Sequence, residues 1–368
     1  MRWTVGETDP RAKISQLEFG SDLRFQTELR RRVDAYFEVP GRRRRDCWQM
    51  YLKSAIILSC FAASYIALVF YARAAWQSLP LAVLLACSTV LIGFNIQHDA
   101  GHLAYSERRW VNRLMAMTMD MIGASSFDWF WKHAVIHHRF VNIMGYDNDS
   151  DIEPLGRLTP HQPRRRGHRW QHFYLWPVYG LEVVKLQLID DFRYVITRRV
   201  GPHLLPRARG WDLVVFLGGK IVFFGLAFGI PLLRHSVWTV LFYYLVTAIL
   251  IGVALTLIFV LPHLVGDADF PLPDPETKRM EQPWAVHQVR PTLDFARASR
   301  VWTWLLGGLN FHKEHHLFPT ICHINYPGMS RLVEETCREF GIEFKEHPTF
   351  RAGLAAHYRW VRRLGSAD

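Results

Sequence analysis

Cysteine is scarce in this chain: five residues in 368 (Cys47, Cys60, Cys87, Cys322 and Cys337), with no CxxC pair and no regular spacing. That excludes a disulfide framework and a zinc knuckle, and it fits a reducing compartment. Internal repeats and low-complexity tracts are absent. No cleavable signal peptide is expected, because the first strongly apolar run begins only at Ser54, after polar sequence; that run is expected to act as the insertion signal itself. Negative charge is also in short supply, with 33 Asp and Glu against 44 Lys and Arg.

Apolar residues make up 50% of the chain and gather into two blocks, 54–97 and 211–262. Each block is long enough for two helical spans of about 20 residues. Breaks at 74–80 (AAWQSLP) and 232–237 (LLRHSV) divide them into spans 54–73, 81–97, 214–231 and 238–262, expected to form two hairpins. Only Arg73 and Arg234 flank the two tight turns, whereas Arg42 to Arg45 precede the first span and Arg164 to Arg166 lie between the hairpins. Lys and Arg accumulate on the cytoplasmic side of short loops, which puts both termini and the middle segment there. The formal net charge of +11 then reflects this bias and contact with anionic headgroups. No nucleic-acid motif accompanies it.

The expected organisation is an N-terminal cytosolic segment (1–50), transmembrane hairpins within 51–262 separated by an interfacial segment (98–210), and a C-terminal cytosolic cap (263–368). Residues 1–21 are polar and unpatterned. After them Phe25, Leu29 and Val33 recur four apart opposite arginines, an amphipathic helix with Ser21 as its cap. Stretches 111–131 and 173–192 read as interfacial helices, 267–277 as a Pro and Asp loop, and 327–340 and 350–364 as helices.

Three histidine clusters carry the chemistry: His98 and His102 in HDAGH, His133, His137 and His138 in HAVIHH, and His312, His315 and His316 in HKEHH. Residues three or four apart share a helix face, so such a pair can bracket one metal. Adjacent histidines diverge by about 100° around a helix and aim at two different metals, which implies a binuclear centre. His263, at the end of the fourth span, is a ninth candidate, since an ionisable group at such a place is a functional hypothesis by default. Imidazole suits iron, copper, zinc or nickel and excludes Mg and Ca; zinc has no redox chemistry. Two irons can take electrons, bind dioxygen and oxidise a methylene group.

The order HDAGH at a span end, HAVIHH after WFWK, and LNFHKEHHLFP followed by CHINYP resembles the membrane fatty acid desaturase family, particularly its bacterial acyl-lipid and linoleoyl-CoA desaturase-like branch. The resemblance implies an all-helical membrane fold of four spans with a cytosolic helical cap, in which His98, His102, His133, His137, His138, His263, His312, His315 and His316 hold two irons above a narrow acyl tunnel. The chain departs from the family pattern at Val141, often Thr; at His312, where some relatives have Gln; and at Phe259, where some have a water-bridging Asn.

The expected activity is oxygen-dependent desaturation of an acyl lipid, acyl-CoA or acyl-ACP at the inner membrane. A hydroxylase or acetylenase on the same scaffold is the alternative, and a non-catalytic metal-binding membrane protein a more distant one. No fused haem, flavin or iron–sulfur module is visible, so electrons must come from an external donor, a small acidic ferredoxin. Asp99, Asp128, Asp294 and Glu314 are candidates to orient metal-bound imidazoles, with His172, His287 and His323 as weaker ones. The acidic loop of Asp147, Asn148, Asp149, Asp151 and Glu153 reads as solvated, Lys220 as snorkelling to the interface, and Arg164, Arg165, Arg166 and Arg169 as contacts for anionic lipid.

Overall fold

A computed structural model describes Ile14 and residues 17–366 of the chain. Most of the polar stretch expected at 1–21 lies outside those residues. Its described end is patterned after all: Glu18–Gly20 pairs in parallel with Arg279–Pro283. The fold is mostly helical, and its strands among the described residues form short two-stranded pairings.

Four helices are long and apolar enough to cross a membrane: Trp48–Tyr71, Ala75–Gly101, Trp211–Leu232 and Val237–His263. The first turn is tighter than the sequence suggests, because helix resumes at Ala75. Gln77 makes that possible, its Oε1 accepting from the backbone amides of Arg73 (2.9 Å) and Ala74 (3.3 Å) at the exposed helix start. Ser236 caps the fourth span, its Oγ accepting from the Thr239 amide at 3.3 Å.

The fourth span packs against the second span and along the helix Gln171–Lys185. Contact there is backbone to backbone: a Cβ on Gly252 would lie 2.3 Å from the Gly180 carbonyl oxygen. Small residues permit such an approach, which is how helices associate where no hydrophobic drive separates them from lipid.

Stretch 111–131 is not one helix. It breaks into Arg109–Ala116, Thr118–Met121 and Ser126–Trp129. Gly123 takes a left-handed turn at φ 99°, Asp120 Oδ1 accepts from the Ser126 amide at 3.3 Å, and Ser125 Oγ caps the Asp128 amide at 3.1 Å. Local polar side chains thus restart the helix in a new direction, and the restarted segment carries the second histidine cluster.

Lys220 does not snorkel. Its ammonium is buried and bonded to Asp191 Oδ2 (2.7 Å) and to the carbonyls of Gly123 (2.8 Å) and Gln187 (3.0 Å). It ties the third span to the Gly123 break and to the segment Leu186–Asp190.

The amphipathic helix spans Arg24–Glu38, preceded by Leu23 rather than capped by Ser21. Phe25 and Leu29 settle against Leu317, Val333 and Cys337. It therefore lies on the protein beside the third cluster. Helices Tyr326–Glu339 and Phe350–Ser366 follow the sequence pattern closely.

Candidate metal centre

Each cluster sits where its element ends or changes winding. His98 follows a wide π-helical turn, Ile92–Gln97, that finishes the second span. The second cluster occupies another, Phe130–His137, continuing into His138–Phe140. Such wide turns are rare and concentrate at functional sites. The third lies on the short helix His312–Leu317, which starts after a turn where Gly307, at φ 60°, passes so close to the second span that a Cβ would meet the Phe94 carbonyl at 2.3 Å. His263 closes the fourth span.

All nine rings converge, in two main groups. His98, His102, His133 and His315 offer ring nitrogens within 4.8 Å of one another, and so do His137, His263 and His316. Adjacent His315 and His316 therefore fall into different groups, as their helical divergence requires. His138 stands between the groups, its ring 4.5 Å from that of His102 and 4.4 Å from that of His316. His312 packs beside the second group, 4.7 Å from the ring of His263.

The free nitrogens suit a metal. Both ring nitrogens of His102 and His138, and Nε2 of His133, His137, His312 and His315, are buried without a hydrogen-bond partner among the described residues, a costly state that a bound cation would relieve. His263 Nε2 faces His316 Nε2 at 3.2 Å, and two imidazole lone pairs at that distance repel unless a proton or cation lies between them. Burial pushes His102, His133, His138, His315 and His316 well below the ordinary imidazole value, and His312 down to about 3. Burial thus favours the neutral form of these rings, the form that ligates.

Second nitrogens are held from behind. His263 Nδ1 meets the Pro291 carbonyl (3.2 Å), His312 Nδ1 the Leu309 carbonyl (2.9 Å), His316 Nδ1 Gln288 Oε1 (3.0 Å) and His315 Nδ1 the Tyr326 hydroxyl (3.4 Å). A proton on Nδ1 leaves Nε2 for an ion. His137 is held differently, by Asp147 Oδ2 at 3.0 Å. Burial lowers its affinity for protons, but the Asp147 charge reverses that and raises it above the ordinary value.

The acidic loop is thus not simply solvated: Asp147 is buried against His137 and also accepts from the Asn142 amide at 3.1 Å. Asn142 Nδ2 in turn donates to the His263 carbonyl at 2.8 Å, joining the second cluster to the end of the fourth span. Phe259 packs its ring 5.2 Å from that of His137. Asp99 holds His323 Nδ1 (2.9 Å), whose Nε2 meets Lys53 Nζ (3.1 Å), so this neighbouring group is satisfied by its own hydrogen bonds. Asp294 accepts from the Lys313 amide at 2.9 Å, and His287 sits in a ring contact with Phe19 at 5.2 Å. No hydrogen bond joins Asp128, Asp294, Glu314, His172, His287 or His323 to a clustered histidine among the described residues. Sequence reasoning missed Asp147, Gln288 and Tyr326; only Tyr326, within CHINYP, carried a local signal.

Residues 74–348 match the model of a family described as fatty acid desaturase. The chain is 36% identical to the sn-1 linoleoyl-lipid 6-desaturase of Synechocystis sp., over 96% of this chain and 99% of that protein. It is 34% identical to the enzyme of the same name from Arthrospira platensis, over 95% of each. Against the acyl-lipid (8-3)-desaturase of Physcomitrium patens it is 33% identical, over 100% of this chain and 78% of that one.

Proposed function

Because this chain belongs to the fatty acid desaturase family, we propose that it introduces a double bond into an acyl chain of a membrane lipid, using dioxygen and two irons held by His98, His102, His133, His137, His138, His263, His312, His315 and His316. The observation that carries this reading is the convergence of these nine imidazoles from four separate segments, with ring nitrogens on six of them buried and lacking a hydrogen-bond partner among the described residues. Bound there, the irons would supply electron storage and activation of dioxygen. The chain's own residues do the rest: they hold the ligands in one protonation state, exclude water and present the substrate.

An intramembrane cavity of about 380 Å³ between the four spans fits an acyl tail. Leu85, Thr89, Ile122, Phe223 and Tyr244 are among its walls, and the Tyr244 hydroxyl donates to Gln187 Oε1 at 3.0 Å at its edge. Apolar walls favour a hydrocarbon over water by about 25 cal/mol per Å² buried. Positioning two adjacent methylenes at the centre is the main catalytic contribution asked of the protein.

Removing two hydrogens while reducing dioxygen to two waters takes two further electrons and two protons. A small acidic ferredoxin docking on the basic face supplies the electrons. In this reading the spans form two hairpins in the inner membrane, with both termini, the 98–210 segment and a cap of 263–368 in the cytoplasm.

Expression in a host with a ferredoxin system, followed by gas chromatography and mass spectrometry of its lipids, tests the proposal. New unsaturated acyl chains that depend on oxygen, with two irons per purified chain, are expected. A hydroxylated product, or unsaturation that persists when the histidines are replaced, overturns it.

A further inference from the structure

Beside the first histidine cluster lies a second cavity, of about 260 Å³, that the desaturase reading leaves without a task. Ala100 and Gly101 form one wall, Ser126 and Phe130 another, and Arg109 and Arg113 a third. Its depth is set by aromatic markers. Trp110, 63% exposed, and Trp211, 54% exposed at the start of the third span, flank it as indoles do at the headgroup level.

Arg109 and Arg113 are four apart on the helix Arg109–Ala116 and so share a face. Arg113 pairs with the buried Asp212 at 3.3 Å. Arg109 is exposed and has no carboxylate partner among the described residues. Among the described residues that line the cavity, two guanidinium groups stand with one carboxylate, and the guanidinium fork matches a phosphate.

The cavity also borders the metal centre. The turn His98–Gly101 is at once its wall and the carrier of the first cluster. Trp129, on the same turn as Ser126 and Phe130, stacks on His133 at 4.7 Å and closes on Gly101, where a Cβ would strike its ring. His133 is the one half-buried ring of the nine, so the centre is most open on this side. Met117 lines this cavity, and Met121, one turn on, lines the intramembrane one.

We propose that this interfacial cavity is the headgroup site for a phosphoglyceride substrate, with Arg109 and Arg113 gripping its phosphate while its acyl tail runs past the histidines into the intramembrane cavity. The inference rests on the desaturase reading. It makes the headgroup the origin from which the oxidised carbon is counted.

Titrating the iron-loaded full chain in detergent with dihexanoyl-phosphatidylglycerol, below its micelle concentration and followed by calorimetry, tests the site. Saturable binding is expected, weakened about tenfold by Arg109→Gln, the loss of one hydrogen-bonded charge contact, and absent for phosphate-free dihexanoylglycerol. Arg109 is exposed, so that variant should fold. The double change Arg113→Gln with Asp212→Asn provides a second reading without stranding a buried carboxylate. Equal affinity of wild type and both variants, or equal affinity for the phosphate-free probe, overturns the headgroup site. Wild type that binds the probe but yields no unsaturated lipid refutes the desaturase reading and leaves the site standing.

Discussion

His263 lies outside the three clusters, yet its Nε2 faces that of His316 across 3.2 Å, while its Nδ1 is fixed by a backbone carbonyl. A ring nitrogen so placed is hard to substitute. His263→Gln keeps the approximate size and one donor atom but cannot place nitrogen at the same point. The expected result is a folded protein with depleted iron and little product; full iron content with normal turnover would remove His263 from the ligand set. Asp147 makes a complementary case. Its carboxylate orients His137 and raises that ring's basicity. Loss of such a partner typically costs 10 to 100-fold in metal affinity, so Asp147→Asn should lower iron affinity by about that factor, measured by competition with a chelator, while circular dichroism stays unchanged. Undiminished affinity would return Asp147 to a purely structural place in its loop.

Among the elements, the third span depends most on a single polar group. Lys220 holds Asp191 and two carbonyls inside the protein, and breaking a buried pair by removing one partner costs about 3 to 5 kcal/mol. Lys220→Met should therefore unfold at clearly lower temperature in a detergent thermal-shift assay. Adding Asp191→Asn should recover much of the loss, because the stranded carboxylate goes with it; no recovery would mean that the carbonyl contacts, not the ion pair, matter. Lys220 looked like a snorkelling side chain because its neighbours in sequence are apolar, and its partners come from segments 29 and 97 residues away. Likewise the break at Gly123 is hidden in a stretch rich in Met, Phe and Trp. Its cause, Asp120 and Ser125 turning back on the backbone, is legible only once the direction of the chain is known.

For the molecule as a whole, the spans and the histidine clusters were readable because each is written in local order, as a long apolar run or a three-and-four spacing. Asp147 and Gln288 were not, since their role arises when distant loops return to the histidines. Orientation remains a prediction from the arginine bias: a tag at either terminus should be protected from external protease in intact cells, and a digested tag would invert the topology. The two groups of rings draw on residues from His98 to His316, so a chain still being synthesised cannot assemble them until nearly all of it has left the ribosome. With the ligands proposed, metal arrives after insertion and its binding energy adds to that of folding. Under iron starvation the cell would carry chains lacking that contribution, preferred prey for membrane proteases. The abundance of the protein is then expected to follow iron supply, a form of regulation that needs no sensor beyond the fold's own incompleteness.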